Sequence, residues 1–213
     1  MIFLHIPKTG GTSLKYALLE KNNANVEVFP KEGHAFNLSV VNSDCCFAIR
    51  DPWERFCSGY WERATMRERR EISKTNDFKS FGYSELIPAE ENLLNAYPTP
   101  NELCKFIRAS GQVPGILNEL TGSICNWLHT LEEYKKYENK VKLVFDIKDL
   151  TEISKTKFNI ELYKDPFRTR SRELFKKEQS YDVEPDVLNW FKNVYRKNDY
   201  DLIDYIKQRD YYV

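Results

Sequence analysis

Short apolar runs alternate along this chain with segments whose apolar residues recur every third or fourth position. Ile2 to Ile6 is the first run. Leu14, Ala17 and Leu18 then share one face of a helix over Thr12 to Asn22, with Thr12 or Ser13 as its cap. Val26 to Phe29 reads as a second strand and Cys45 to Ile49 as a third, nearly continuous in apolar residues as a central parallel strand would be. Asp51-Pro52 opens a long helix in which Trp53, Phe56 and Tyr60 line one side. Residues 75–100, rich in Asn, Ser, Pro and Gly, predict a long and partly irregular excursion. Helical pieces follow at 101–110 and 116–137, then a strand at Lys142 to Phe145 and a helix near 149–158. The C-terminal stretch 185–208 repeats Val187, Leu188, Phe191, Val194 and Tyr195 at helical spacing. This order predicts an α/β fold, a central parallel sheet flanked by helices, with residues 1–213 forming a single domain.

Composition narrows the function classes. The chain has 213 residues, and its hydrophobic share of 41% and aromatic share of 14% supply a packed core, excluding a disordered chain. Lys plus Arg number 32 and Asp plus Glu 32, so the net charge is zero and no broad nucleic-acid surface is expected. An anion site would have to be local. Apolar runs fall far short of the roughly 20 residues a membrane span needs, and MIFLHIPKTGG lacks the basic start and cleavage site of a secretory signal. The five cysteines, Cys45, Cys46, Cys57, Cys104 and Cys125, are odd in number and lack CxxC spacing. They predict buried free thiols and a reducing, cytoplasmic compartment.

Candidate chemistry begins where the first strand runs into Pro7-Lys8-Thr9-Gly10-Gly11-Thr12-Ser13 and then a helix. A strand, a glycine-rich turn and a helix N-terminus present backbone N–H groups to an anion. Gly10 and Gly11 let the chain approach phosphate oxygens. Thr9, Thr12 and Ser13 add hydroxyl donors, Lys8 adds charge, and His5 precedes the loop and orders it. The GxxxxGK[ST] spacing of ordinary nucleotide triphosphatases is absent, because this lysine stands at the start of the loop.

HIPKTGGTSL resembles the 5′-phosphosulfate motif of sulfotransferases that use 3′-phosphoadenosine 5′-phosphosulfate (PAPS), and it is most similar to the carbohydrate group containing heparan sulfate 2-O-sulfotransferases. FAIRDPWERFCSGY resembles that family's 3′-phosphate motif, an Arg after a strand with a Ser eight residues on, here Arg50 and Ser58. The resemblance implies a three-layer, P-loop-kinase-like fold and transfer of a sulfuryl group from PAPS to a hydroxyl, with no metal. It implies that Lys8, Thr9, Gly10, Gly11, Thr12 and Ser13 hold the phosphosulfate and that Arg50 and Ser58 hold the 3′-phosphate. It also implies a saccharide as acceptor, with specificity in residues 61–140. His34, in a Gly-His setting after the second strand, matches the family's general base. Relatives that use a glutamate of the first helix would place it at Ala17, with Glu20 nearby. Arg170, with Arg168, Ser171 and Arg172, falls where the family has a basic loop over the cofactor, in a segment (164–177) with six basic and two acidic residues. Arg63, Arg67, Arg69, Arg70 and Lys74 form a second basic stretch that would hold an anionic saccharide or form a solvated helix face. Two other readings stay open: a small-molecule kinase with Asp146 on Mg²⁺, and a nucleotide- or saccharide-binding module without catalysis.

Overall fold

The computed structural model describes residues 1–20, 25–30, 36–65, 88–112, 122–162 and 180–213. In chain order the elements are β1 (Ile2–Leu4), α1 (Gly11–Glu20), β2 (Glu27–Phe29), β3 (Cys45–Ile49), α2 (Pro52–Ala64), α3 (Pro88–Ala96), α4 (Pro100–Ser110), α5 (Cys125–Leu128), α6 (Leu131–Tyr137), β4 (Val141–Asp146), α7 (Leu150–Thr156), α8 (Pro185–Trp190) and α9 (Lys197–Ile206). They fall into two compact units, each discontinuous in sequence. The first comprises Met1–Pro52, Ser123–Tyr163 and Arg196–Val213, and the second Trp53–Gly122 and Lys164–Tyr195.

The first unit is an α/β unit built on a parallel four-stranded sheet in the order β2-β1-β3-β4. Because successive strand residues point to opposite faces, Leu4, Ile6, Phe47 and Ile49 join one apolar cluster with Leu128 and Tyr134 of α5 and α6 and Leu202 and Ile206 of α9. Phe3, Cys46, Ala48 and Phe145 face the other way, against Leu14 and Leu18 of α1 and Ile153 of α7. Helices thus cover both faces, which is why all five residues of β3 are buried. The chain moves from β1 to β2 on one side and then to β3 on the other. The strand order therefore reverses at β1, and the crevice outside the carboxyl ends of β1 and β3 is where such sheets bind ligands. At the far edge, Val144 N donates to Tyr211 O at 2.8 Å and Val213 N donates to Val144 O at 3.0 Å, so residues 211–213 lie along β4.

One carboxylate fastens this unit across a long stretch of sequence. Asp199, 2% exposed, accepts hydrogen bonds from Ser123 Oγ and, at 3.2 Å, from the Ile124 amide beside α5. The Arg196 guanidinium sits 3.9 Å away and balances its charge.

In the second unit the predicted face of α2 is buried: Trp53, Phe56 and Tyr60 are all within the core. The Trp53 and Phe56 rings lie 5.6 Å apart, and Phe191 meets them edge-on at 5.1 and 5.4 Å. The polar ends of these aromatics reach backbone carbonyls, Trp53 Nε1 and Trp61 Nε1 at 2.8 Å to Tyr181 O and Ser180 O, and Tyr60 Oη at 2.6 Å to Tyr97 O. Arg63 forms a forked ion pair with Glu90, which is 1% exposed. Glu90→Ala removes the buried carboxylate that balances the Arg63 guanidinium and should cost about 3 kcal/mol of stability. Urea unfolding followed by tryptophan fluorescence measures this; a loss below ~1 kcal/mol, the scale of an exposed ion pair, would contradict it.

Three expectations need correction. α1 starts at Gly11, so Thr12 and Ser13 stand inside its first turn instead of capping it. In the stretch 116–137, of which 113–121 lie outside the described residues, the helix is broken: α5 closes at His129, whose backbone takes φ 69° and ψ 173°, a conformation no helix interior accommodates. The C-terminal helix is also interrupted. A π-helical turn at Phe191–Tyr195 adds a residue to the repeat, leaves Val194 65% exposed, and is followed by a bend at Arg196 before α9.

Candidate anion-binding site

The loop between β1 and α1 occupies the carboxyl edge of the sheet at the reversal of strand order. Its backbone alternates in hand: Lys8 has φ 64° and Gly10 φ 75°, while Thr9 between them is not left-handed. Alternation of this kind turns successive N–H groups toward one side, forming a concavity suited to an anion. For a lysine the left-handed conformation is costly, about 1–2 kcal/mol, so glycine would serve the backbone better. What lysine adds at this position is its ammonium.

The loop is pressed against the unit from behind. The Thr9 hydroxyl donates to Ile6 O at 2.9 Å and Thr9 is buried, so its hydrogen is committed inward. A Cβ on Gly10 would lie 2.5 Å from Ile147 Cδ1, and one on Gly11 would lie 2.8 Å from His5 Cδ2 and 3.1 Å from Phe3 Cζ. The glycines are therefore needed for close packing on their inner side. Thr12 Oγ1 lies 3.3 Å from Nε2 of His5, which is 3% exposed beneath the loop. Thr12 and Ser13 themselves are half-buried in the first turn of α1.

Two neighbouring strands complete the surroundings. Arg50 follows the last residue of β3, the strand paired to β1 through Leu4 and Phe47, and is half-buried on the same edge. At the end of β4, Asp146 Oδ1 accepts from Lys148 N at 3.0 Å, capping the turn Ile147–Asp149 whose first side chain abuts Gly10. Gly10→Ala should destabilise the protein by about 3 kcal/mol, because the methyl group collides with Ile147 and the left-handed backbone is strained. Thermal denaturation tests this, and an unchanged midpoint would show that the loop relaxes freely.

No family model, curated protein or solved structure matches this chain. The site therefore rests on its own chemistry.

Lys8, Thr9, Gly10, Gly11, Thr12, Ser13 and Arg50 all belong to the first unit, after the neighbouring strands β1 and β3. Ser58 is half-buried on α2 in the second unit. His34 and Arg170 lie outside the described residues, as do Arg67, Arg69, Arg70, Lys74 and the whole of the segment 164–177. Ala17 is buried in the core against the sheet, and Glu20 is exposed at the end of α1. Arg63 is engaged with Glu90. Of the thiols, Cys45, Cys46, Cys57 and Cys104 are buried and Cys125 is half-buried, all unbridged. Burial pushes the Cys45 thiol up to about 12 and Cys125 likewise to about 12, so these are packing groups and not nucleophiles. Among the described residues no helix is long and apolar enough to cross a membrane. Neither Ile147 nor Asp199 carries a signal in the sequence. Ile147 acts by shape alone, and Asp199 by a contact more than seventy residues distant.

Proposed function

We propose that this protein is a PAPS-dependent sulfotransferase with a P-loop-kinase-like core, transferring a sulfuryl group to a hydroxyl of a carbohydrate acceptor. The observation that carries this reading is Lys8, held in a left-handed backbone in the loop after β1, with Arg50 just past the end of the neighbouring strand β3. A lone anion pocket needs only the amides. A loop with a costly lysine and a second cation one strand away suits a ligand with two separated phosphate groups. PAPS, when bound, supplies the sulfuryl group and a nucleotide bisphosphate leaving group.

In this reading the amides of Lys8 to Thr12 and the Lys8 ammonium hold the phosphosulfate. Lys8 meets negative charge where it grows on the leaving oxygen. Arg50 forks onto the 3′-phosphate, a group that ATP lacks. His34 takes the proton of the acceptor hydroxyl. Positioning and electrostatics do most of the work, as in phosphoryl transfer.

Titration with 3′,5′-ADP and with Mg·ATP, followed by transfer of labelled sulfate from PAPS to a panel of glycans and simple alcohols, tests the proposal. Binding of 3′,5′-ADP with transfer to a glycan supports it. Tight Mg·ATP binding without 3′,5′-ADP binding points to the kinase alternative, and 3′,5′-ADP binding without transfer to any acceptor points to a binding module.

A further inference from the structure

His5 is a buried titratable side chain for which sulfuryl transfer has no direct use, yet it underlies the one loop on which the proposed function depends. Its ring is 3% exposed and pressed against the position where Gly11 would carry a Cβ, 2.8 Å from Cδ2. Its Nε2 meets Thr12 Oγ1 at 3.3 Å. A hydroxyl has a single hydrogen and two lone pairs, so this contact exists in two forms that differ in what Thr12 offers elsewhere. With Nε2 bare, Thr12 gives its hydrogen to His5 and presents only lone pairs to the loop, which repel an anion. With hydrogen on Nε2, His5 donates, and the Thr12 hydrogen is released to donate outward. The Thr9 hydroxyl cannot substitute, since its hydrogen is directed to Ile6 O at 2.9 Å.

We infer that His5 is a positioning residue of the anion loop: donation from its Nε2–H to Thr12 Oγ1 turns the Thr12 hydroxyl into a donor for the bound phosphate or sulfate group. Anion binding then selects one imidazole tautomer. No net proton uptake is required, because the neutral ring moves its hydrogen from Nδ1 to Nε2. The inference rests on the loop being an anion site and deepens the proposed function, but it does not depend on the anion being PAPS.

The test combines a double-mutant cycle with a direct reading of the tautomer. Binding of 3′,5′-ADP is measured by calorimetry for the wild type, His5→Phe, His5→Gln, Thr12→Val and the His5→Phe/Thr12→Val pair. Phe keeps the ring but loses the donor, whereas Gln keeps a donor. His5→Phe and Thr12→Val should each weaken binding about tenfold, the effect of one hydrogen bond to a charged group. Gln should recover most of the loss, and the double variant should bind no worse than either single one. Imidazole ¹⁵N spectra of the wild type should show hydrogen on His5 Nε2 in the complex, a readout that needs no variant to fold.

Additive losses, no rescue by Gln, or a bare His5 Nε2 in the complex would each overturn the inference. If the wild type binds Mg·ATP and not 3′,5′-ADP, the sulfotransferase reading fails while the same cycle, run with Mg·ATP, still decides the role of His5. If it binds neither nucleotide, nor inorganic phosphate or sulfate, both fall.

Discussion

Lys8→Ala should lower sulfuryl transfer ~100- to 1,000-fold while weakening 3′,5′-ADP by less than about tenfold. The asymmetry follows from where the ammonium acts. A charge that meets the leaving oxygen gains most as the bond to sulfur breaks, so its loss appears in kcat more than in product affinity. The backbone supplies a control. Lys8 sits at φ 64°, so Lys8→Gly removes the same side chain while relieving the left-handed strain. Both variants should lose the same activity, but the glycine form should be the more stable by ~1 kcal/mol. Lys8→Arg should not restore the rate, because a planar fork does not reproduce a compact point charge. Equal losses in rate and in 3′,5′-ADP affinity would show that Lys8 only binds.

His34→Ala should produce a loss of turnover on the order of 100- to 10,000-fold with 3′,5′-ADP affinity within about twofold of wild type. A general base acts on the acceptor and not on the nucleotide, so the two measurements separate. The wild-type kcat/KM should fall on the acid side, since only the neutral imidazole accepts a proton. That limb should vanish in the variant. Glu20→Gln provides the contrast: Glu20 is exposed at the end of α1, and its loss should leave the profile unchanged. An unaltered rate in His34→Ala would remove this residue as the base.

The elements read most accurately from sequence are those whose patterns leave one physical outcome. Cys45–Ile49 is apolar throughout and flanked by breakers, and it is β3 residue for residue. Trp53, Phe56 and Tyr60 repeat at helical spacing after Asp51-Pro52, and they form the buried face of α2. Periodicity is blind to interruptions that keep the apolar count intact. Neither the break at His129 nor the π turn at Phe191–Tyr195 has a glycine or proline at the point of interruption to mark it. The strand–glycine–helix context of the loop was legible, and with it the loop's place at the carboxyl edge of the sheet. The reason for its glycines was not, because Ile147 and His5, which fill the space behind them, signal nothing by type or spacing. Nor could the grouping of Arg63 with Glu90 be foreseen, since a buried partner 27 positions away looks in sequence like any other surface charge.

The pairing of residues 211–213 with β4 has a consequence in time. β1, β2 and β3 precede β4, which ends at Asp146, but the backbone that lies along β4 at Val144 comes only from Tyr211 and Val213, some 65 residues later in the chain. A strand border with unpaired amides and carbonyls is a template for pairing with other chains. At ordinary elongation rates of ~5–20 residues per second, that border of the nascent sheet would stand open for several seconds before its own cover is made. At Val144, therefore, this border is more open to association with neighbouring chains during translation than in the finished protein.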